Sequence, residues 1–98
     1  MGNLFEVVDK SGRTIRLPQK QWKHILQDHP EIGQYIEELK VTLQHPLKIT
    51  DYSFDEQVRY YYNYIKQREN PAKYLLVIVK YLNGTGYIIT AYFERKIK

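Results

Sequence analysis

A change in hydrophobic period at Pro46 is the feature that most constrains the fold of this 98-residue chain. Between Pro18 and Pro46 the apolar residues recur every three or four positions, which predicts amphipathic helices. After Pro46 they form short runs rich in β-branched and aromatic residues, which predicts strands. Proline lacks the backbone N–H that a helix interior needs, so Pro30 should separate two helices and Pro46 should follow the second.

The predicted elements follow from these boundaries. The first helix begins after Pro18 and has an apolar face formed by Trp22, Ile25, Leu26 and His29. The second helix starts at Pro30 and carries the stripe Ile32, Tyr35, Ile36, Leu39 and Leu43. A hairpin is predicted before them, with strands 4–8 and 14–17 around the turn Asp9-Lys10-Ser11-Gly12. Four strands are predicted after them, at 48–54, 58–65, 73–82 and 87–93.

The order ββααββββ predicts an α+β fold, because consecutive strands usually pair with one another. We expect an N-terminal β-hairpin and two helices packed on one face of a four-stranded antiparallel meander sheet. A chain of 98 residues can bury one core, so residues 1–98 should form a single domain.

Composition narrows the possible functions. The chain has no cysteine, which leaves neither disulfides nor a thiolate metal site to support the fold. It shows no signal-peptide pattern, and its longest apolar run, 74–79, is far shorter than the roughly 20 residues of a membrane span. We therefore expect a cytoplasmic protein without a membrane partner. Fifteen Lys and Arg against eleven Asp and Glu give a net charge of +4, which favours a polyanion such as RNA.

The residues that remain for chemistry form a metal-free set. His24 and His29 are five positions apart, or about 140° around a helix, which is a poor arrangement for two metal ligands. RNA cleavage needs only a base for the 2′-hydroxyl proton, an acid for the leaving oxygen and positive charge near the phosphorus. Histidine serves as either acid or base, and Lys and Arg supply the charge. No cofactor is expected.

The segment Trp22-Lys23-His24-Ile25, followed by Asp28-His29-Pro30-Glu31, resembles a helix signature of the barnase–EndoU–colicin–RelE superfamily of metal-independent ribonucleases. The likeness is greatest to its small prophage and toxin-associated branch. Later features follow in the same order: a strand after Pro46, Tyr60-Tyr61-Tyr62, the apolar run 74–80, and Ile88-Ile89-Thr90-Ala91-Tyr92. The resemblance extends from about residue 22 to residue 93.

The resemblance implies RNA bound on the open face of the sheet and cleaved through a 2′,3′-cyclic phosphate. It also implies a toxin that pairs with a protein antitoxin. By position, its functional groups would be a helix histidine, a strand cation and a hydroxyl on the last strand. The catalytic candidates are therefore His24, His29, Lys80, Thr90 and Tyr92. The candidates for substrate binding are Arg59, Tyr61, Lys23 and Lys73.

Three alternatives stay open at the level of sequence. His29 lies on an apolar helix face, where packing in the core or capping the second helix is as well supported as a catalytic role. If Leu82 pairs with Tyr87, Lys80 faces Ile89 and Thr90 points to the other side of the sheet; a shift of one residue brings Lys80 opposite Thr90. The rival function is a non-catalytic RNA- or protein-binding module on the same fold. Both functions predict one positive surface, formed by Lys20, Lys23, Lys73, Lys80 and Arg59.

Overall fold

The computed structural model describes residues 2–98. Its elements are β1 (Asn3–Val8), β2 (Thr14–Pro18), α1 (Gln19–Asp28), a 3-10 helix (Pro30–Gln34), α2 (Ile36–Gln44), β3 (Lys48–Asp51), β4 (Val58–Tyr64), β5 (Tyr74–Leu82) and β6 (Thr85–Glu94). The strands form one sheet in the order β1-β2-β6-β5-β4-β3. No helix of residues 2–98 is long and apolar enough to cross a membrane.

The predicted α+β class is confirmed, but the predicted four-stranded sheet is wrong. Strands β3 to β6 are consecutive antiparallel neighbours, as in a meander. The hairpin β1–β2 joins them, because β2 pairs in parallel with β6 through Ile15↔Gly86 and Arg16↔Tyr87. The sheet is therefore six-stranded and mixed. This pairing satisfies part of the backbone of β6, which would otherwise be a free edge. The β2–β6 pairing joins segments about 70 residues apart, so it cannot be predicted from a local sequence pattern.

Both α-helices end where proline was expected to end them. A proline disfavours helical geometry in the residue before it, and both His29 and His45 precede a proline and leave the helix, with φ of −138°. The second helix starts later than predicted, since Pro30–Gln34 forms a 3-10 turn and α2 begins at Ile36. Gly33 lies within this turn, and glycine is a poor helix former.

The core lies between the two helices and one face of the sheet. Alternate residues of β5, among them Val77 and Val79, point to this side, where they join Ile25 of α1 and Leu39 and Leu43 of α2. The face of the sheet that points away from the helices is called the open face below. It carries Tyr60, Tyr62, Ile78, Lys80, Thr90 and Tyr92.

The β5–β6 hairpin sets which residues share the open face. Asn83 and Gly84 form a two-residue turn, both with positive φ (55° and 82°), so Leu82 pairs with Thr85. Further along, Val79 pairs with Ile88 and Ile78 pairs with Thr90, so Ile89 is an extra residue in β6. Such a β-bulge shifts the register by one. Neither predicted register occurs: the bulge brings Lys80 and Thr90 to the same face, two positions apart along the strands.

Candidate functional site

The open face has α1 at its border, because this helix lies along part of the outer edge of β6. Strand β2 pairs with β6 only as far as Tyr87, and α1 packs beside β6 as well as β2. The side-chain amide of Gln21 donates a hydrogen bond to the carbonyl of Ile89, at the bulge. The bulge and the first turn of α1 are thus joined directly, and α1 can present side chains to the open face.

His29 is the helix residue that reaches this face. Its ring stacks on Tyr92, with the ring centres 5.0 Å apart and an angle of 19° between the planes. Its Nδ1 lies 4.0 Å from Oε2 of Glu31, which is ion-pair range but too long for a hydrogen bond. The imidazole is about one-third exposed. His29 is therefore neither buried in the core nor turned away from the sheet, and a carboxylate stands beside one of its two nitrogens.

His24 is exposed on the same helix. With about 100° per residue, it lies about 60° from Gln21, on the side away from the buried Ile25. About 140° of helix rotation separates it from His29, the residue of this segment that stacks on Tyr92. No three His, Asp or Glu side chains of residues 2–98 are grouped as a metal site would require.

Thr90 and Tyr92 lie in adjacent cross-strand rows of the open face. Tyr92 is opposite Leu76, which is opposite Tyr62. Thr90 is opposite Ile78, which is opposite Tyr60. Two positions along a strand span about 7 Å, so Thr90 lies one row from the Tyr92 side chain on which the His29 ring stacks. The structure therefore brings together His29, Thr90 and Tyr92.

Lys80 shares the open face but lies towards the other end of it. Its row partners are Val58 and Tyr87, and its Nζ is 3.2 Å from Oδ2 of Asp55. The pKa of Asp55 is lowered by a hydrogen bond from the Gln57 backbone and by Lys80 itself. Lys80 is therefore one row beyond Thr90 and already has an anionic partner.

A cation that lies close to the Tyr92 side chain is Lys98, which sequence reasoning missed. Its Nζ is 2.9 Å from Oε1 of Glu94 and close enough to Tyr92 to lower the pKa of that hydroxyl. Burial has the larger, opposite effect: it raises the pKa of Tyr92, and the charge of Glu94 raises it further. Tyr92 therefore stays protonated at neutral pH and can donate a hydrogen bond. Lys98 follows the last strand, where no pattern marked it as functional.

Tyr62 is fully buried although it belongs to the open face. Its hydroxyl has no hydrogen-bond partner within residues 2–98. The C-terminal segment lies near it, since the charge of Lys98 acts on Tyr60 and Tyr92, the neighbours of Tyr62 on this face, and Ile97 is half-buried. Part of the open face is therefore covered.

The four residues predicted to bind substrate do not lie on the open face. Tyr61 and Arg59 alternate with the open-face tyrosines and point to the helix side; Tyr61 is only 2% exposed, and Arg59 pairs with Asp51 at 3.2 Å. Lys23 lies about 160° around α1 from Gln21. Lys73 precedes β5, at the opposite end from Lys80, and its Nζ contacts the Lys66 carbonyl at 3.4 Å. These positions also separate the basic residues that were expected to form one positive surface.

Tyr61 instead belongs to a buried polar cluster around Asp9. Oδ2 of Asp9 accepts hydrogen bonds from the hydroxyls of Tyr81 (2.6 Å) and Tyr61 (3.2 Å), which also contact each other. Oδ1 accepts from Ser11 and from the Arg13 backbone. Burial acts to raise the pKa of Asp9, but these hydrogen bonds outweigh it and lower the pKa. Only a turn was predictable at Asp9, because its hydrogen-bond partners Tyr61 and Tyr81 are distant in the sequence.

No family model, curated protein or solved structure matches the chain.

Proposed function

We propose that this protein is a metal-independent endoribonuclease that cleaves RNA on the open face, with His29 as its acid–base group. The observation that carries the proposal is the stacking of His29 on Tyr92. An imidazole, which can transfer a proton, lies against the Tyr92 ring and one row from Thr90; Lys80 lies on the same face, and Lys98 lies near Tyr92.

The reaction uses the groups present on this face. A base removes the proton of the ribose 2′-hydroxyl, whose oxygen then attacks the phosphorus. The bond to the 5′-oxygen breaks, and an acid protonates that oxygen, which leaves a 2′,3′-cyclic phosphate and a 5′-hydroxyl. His29 takes the first role through its Nε2, while Glu31 stands beside its Nδ1. His24 is the candidate for the second role.

Hydrogen bonds and positive charge stabilise the phosphorane oxygens. Tyr92 is suited to this task because its raised pKa keeps the hydroxyl protonated. Thr90 offers a second hydroxyl one row away, and Lys98 offers a positive charge close to Tyr92. A protein antitoxin that inhibits such a toxin would act by covering the open face.

The test is a cleavage assay on RNA in the presence of EDTA. The chain offers a matched control, because His29 and His45 both end a helix before a proline, and His45 belongs to α2. We expect His29→Ala to lower kcat/KM about 10²–10⁴-fold, the usual loss for an acid–base group. His45→Ala should leave it unchanged. Wild-type protein that leaves RNA intact in EDTA would refute the proposal, as would equal effects of the two variants.

The second candidate function is a non-catalytic RNA-binding module. It is favoured by an aromatic series at the border of the open face: Tyr60 stacks on Tyr52 at 5.8 Å, and Tyr52 meets Phe54, which is 85% exposed. Bases stack on such side chains without chemistry. Binding of RNA that is lost in Phe54→Ala, together with no cleavage by wild type, would establish this function instead.

A further inference from the structure

A second polar surface lies at the end of the sheet where three loops meet. These are the β1–β2 turn, the β3–β4 loop and the β5–β6 turn, and together they form a cleft. Its lining includes Arg13, Glu56, Arg59, Tyr81, Asn83 and Gly84. Tyr81 points to the helix side of β5, so the cleft is distinct from the open face.

The side chain of Arg13 is held in position by two contacts. Its guanidinium carbon lies over the Tyr81 ring, 3.6 Å from the ring centre, and its Nε donates to Oγ of Ser11 at 3.0 Å. Its two terminal nitrogens make no hydrogen bond within the described part of the chain. A guanidinium group that lies over an aromatic ring still has N–H groups at its edge that can donate to the oxygens of a carboxylate or a phosphate. Because the side chain is already ordered, it loses little conformational freedom on binding.

Behind Arg13 lies the buried carboxylate of Asp9, which forms a long ion pair with the guanidinium. Asp9 is 4.0 Å from the Nε of Arg13 and is occupied by hydrogen bonds from Ser11, Tyr61 and Tyr81. Its side chain is fully buried, so it fixes the turn without being exposed to the cleft.

Arg59 provides the second guanidinium of the cleft. One terminal nitrogen, Nη1, donates to the Glu56 carbonyl at 2.7 Å, and Nε pairs with Asp51 at 3.2 Å. The other terminal nitrogen makes no hydrogen bond to residues 2–98. Glu56 is the one carboxylate in the described lining, and it is exposed. Two guanidinium groups therefore line the cleft beside the exposed Glu56, and Arg59 also keeps its ion pair with Asp51.

We propose that this cleft binds a phosphate group through Arg13 and Arg59, with Asn83 and Gly84 at its border. The phosphate belongs either to a free phosphate ligand or to the backbone of a nucleic acid, since both present the same oxygens. The proposal is independent of cleavage at the open face.

The experiment is a two-dimensional NMR titration with two probes: inorganic phosphate, and a single-stranded oligodeoxynucleotide without terminal phosphates, which has no 2′-hydroxyl to be cleaved. The amide signals of Asn83 and Gly84 should shift. Arg13→Lys keeps the positive charge but removes the pair of parallel N–H donors of the guanidinium, and should weaken binding about tenfold or more. Arg59→Lys should also weaken binding. Glu56→Gln should strengthen it. Arg16→Lys, at an exposed position of β2 opposite Tyr87 on the open face, is the matched control and should leave the binding of inorganic phosphate unchanged.

Shifts with inorganic phosphate that Arg13→Lys weakens would support the site with a free phosphate as ligand. Shifts with the oligonucleotide alone would support it with a backbone phosphate. The proposal is overturned if neither probe shifts these signals, or if Arg13→Lys and Arg16→Lys have the same effect. If Arg13→Lys does not keep the wild-type spectrum, Arg59→Lys and Glu56→Gln decide the question. His29→Ala should leave phosphate binding intact, so this proposal and the proposed ribonuclease can fail separately.

Discussion

Tyr61 and Tyr62 are neighbours in β4, and both are almost completely buried, yet their hydroxyls have opposite environments. That of Tyr61 donates to Asp9 and contacts the hydroxyl of Tyr81. That of Tyr62 has no partner in the described chain. A hydrogen bond to a charged group contributes to stability, whereas a buried donor without a partner costs free energy.

The two phenylalanine variants should therefore differ in stability. Tyr61→Phe removes a donor to a buried carboxylate and should lower the free energy of unfolding by about 1.5–3 kcal/mol. Tyr62→Phe removes an unsatisfied hydroxyl and should leave stability unchanged or raise it. Urea unfolding of both variants measures the difference. Equal losses in the two variants would show that the Asp9 cluster does not distinguish them.

At the same scale, the sequence predicted some placements and not others. The His29-Pro30 pair indicated a helix end, and proline geometry accounts for the departure of His29 from the helix. The side of the sheet to which Tyr61 points was not predictable, because alternation gives two faces without saying which one meets the helices. Asp9 was visible only as a turn residue, since its partners Tyr61 and Tyr81 are 52 and 72 positions away.

Among the elements, the bulge at Ile89 decides whether Lys80 and Thr90 can share a face. Helix and strand segments were predictable from their periods. The bulge was not, because nothing in the local run Ile88-Ile89-Thr90 marks an extra residue. The backbone carbonyl of Ile89 accepts a hydrogen bond from the side chain of Gln21, which is 68 positions earlier in the sequence. The parallel pairing of β2 with β6 was unpredictable for the same reason, because it depends on contacts between segments that are far apart in the sequence.

The contact between α1 and the bulge can be tested through Gln21. Gln21→Ala leaves the Ile89 carbonyl without its side-chain donor, which should cost about 1 kcal/mol. It should also lower kcat/KM for RNA, because α1 carries His29 to Tyr92. Gln27→Ala, at an exposed position of the same helix, is the control and should change neither quantity. Thermal unfolding and the cleavage assay measure them; a Gln21 variant equal to the control in both would show that the contact does not position the helix.

For the molecule as a whole, the net charge of +4 indicated a polyanion partner but not the location of its site. Lys23 and Lys73 were predicted to bind substrate and lie away from the open face. Lys48 and Lys98 were not predicted: Lys48 is exposed in the row of Tyr62, and Lys98 lies near Tyr92. Charge placement follows from the order of strands in the sheet, which the sequence did not reveal.

This placement predicts which lysines control the salt dependence of RNA binding. Each phosphate contact to single-stranded nucleic acid contributes about 0.7 to the slope of log affinity against log salt concentration, because the contact releases counterions. Lys48→Ala and Lys98→Ala should therefore each reduce the slope by about that amount. Lys23→Ala and Lys73→Ala remove the same charge from other surfaces and should leave the slope unchanged. The measurement is a series of binding isotherms at several salt concentrations, with RNA methylated at the 2′-oxygens to prevent cleavage. Equal slopes for all four variants would mean that the net charge, and not the open face, attracts RNA. If only the Lys23 and Lys73 variants have a reduced slope, RNA binds to a surface other than the open face.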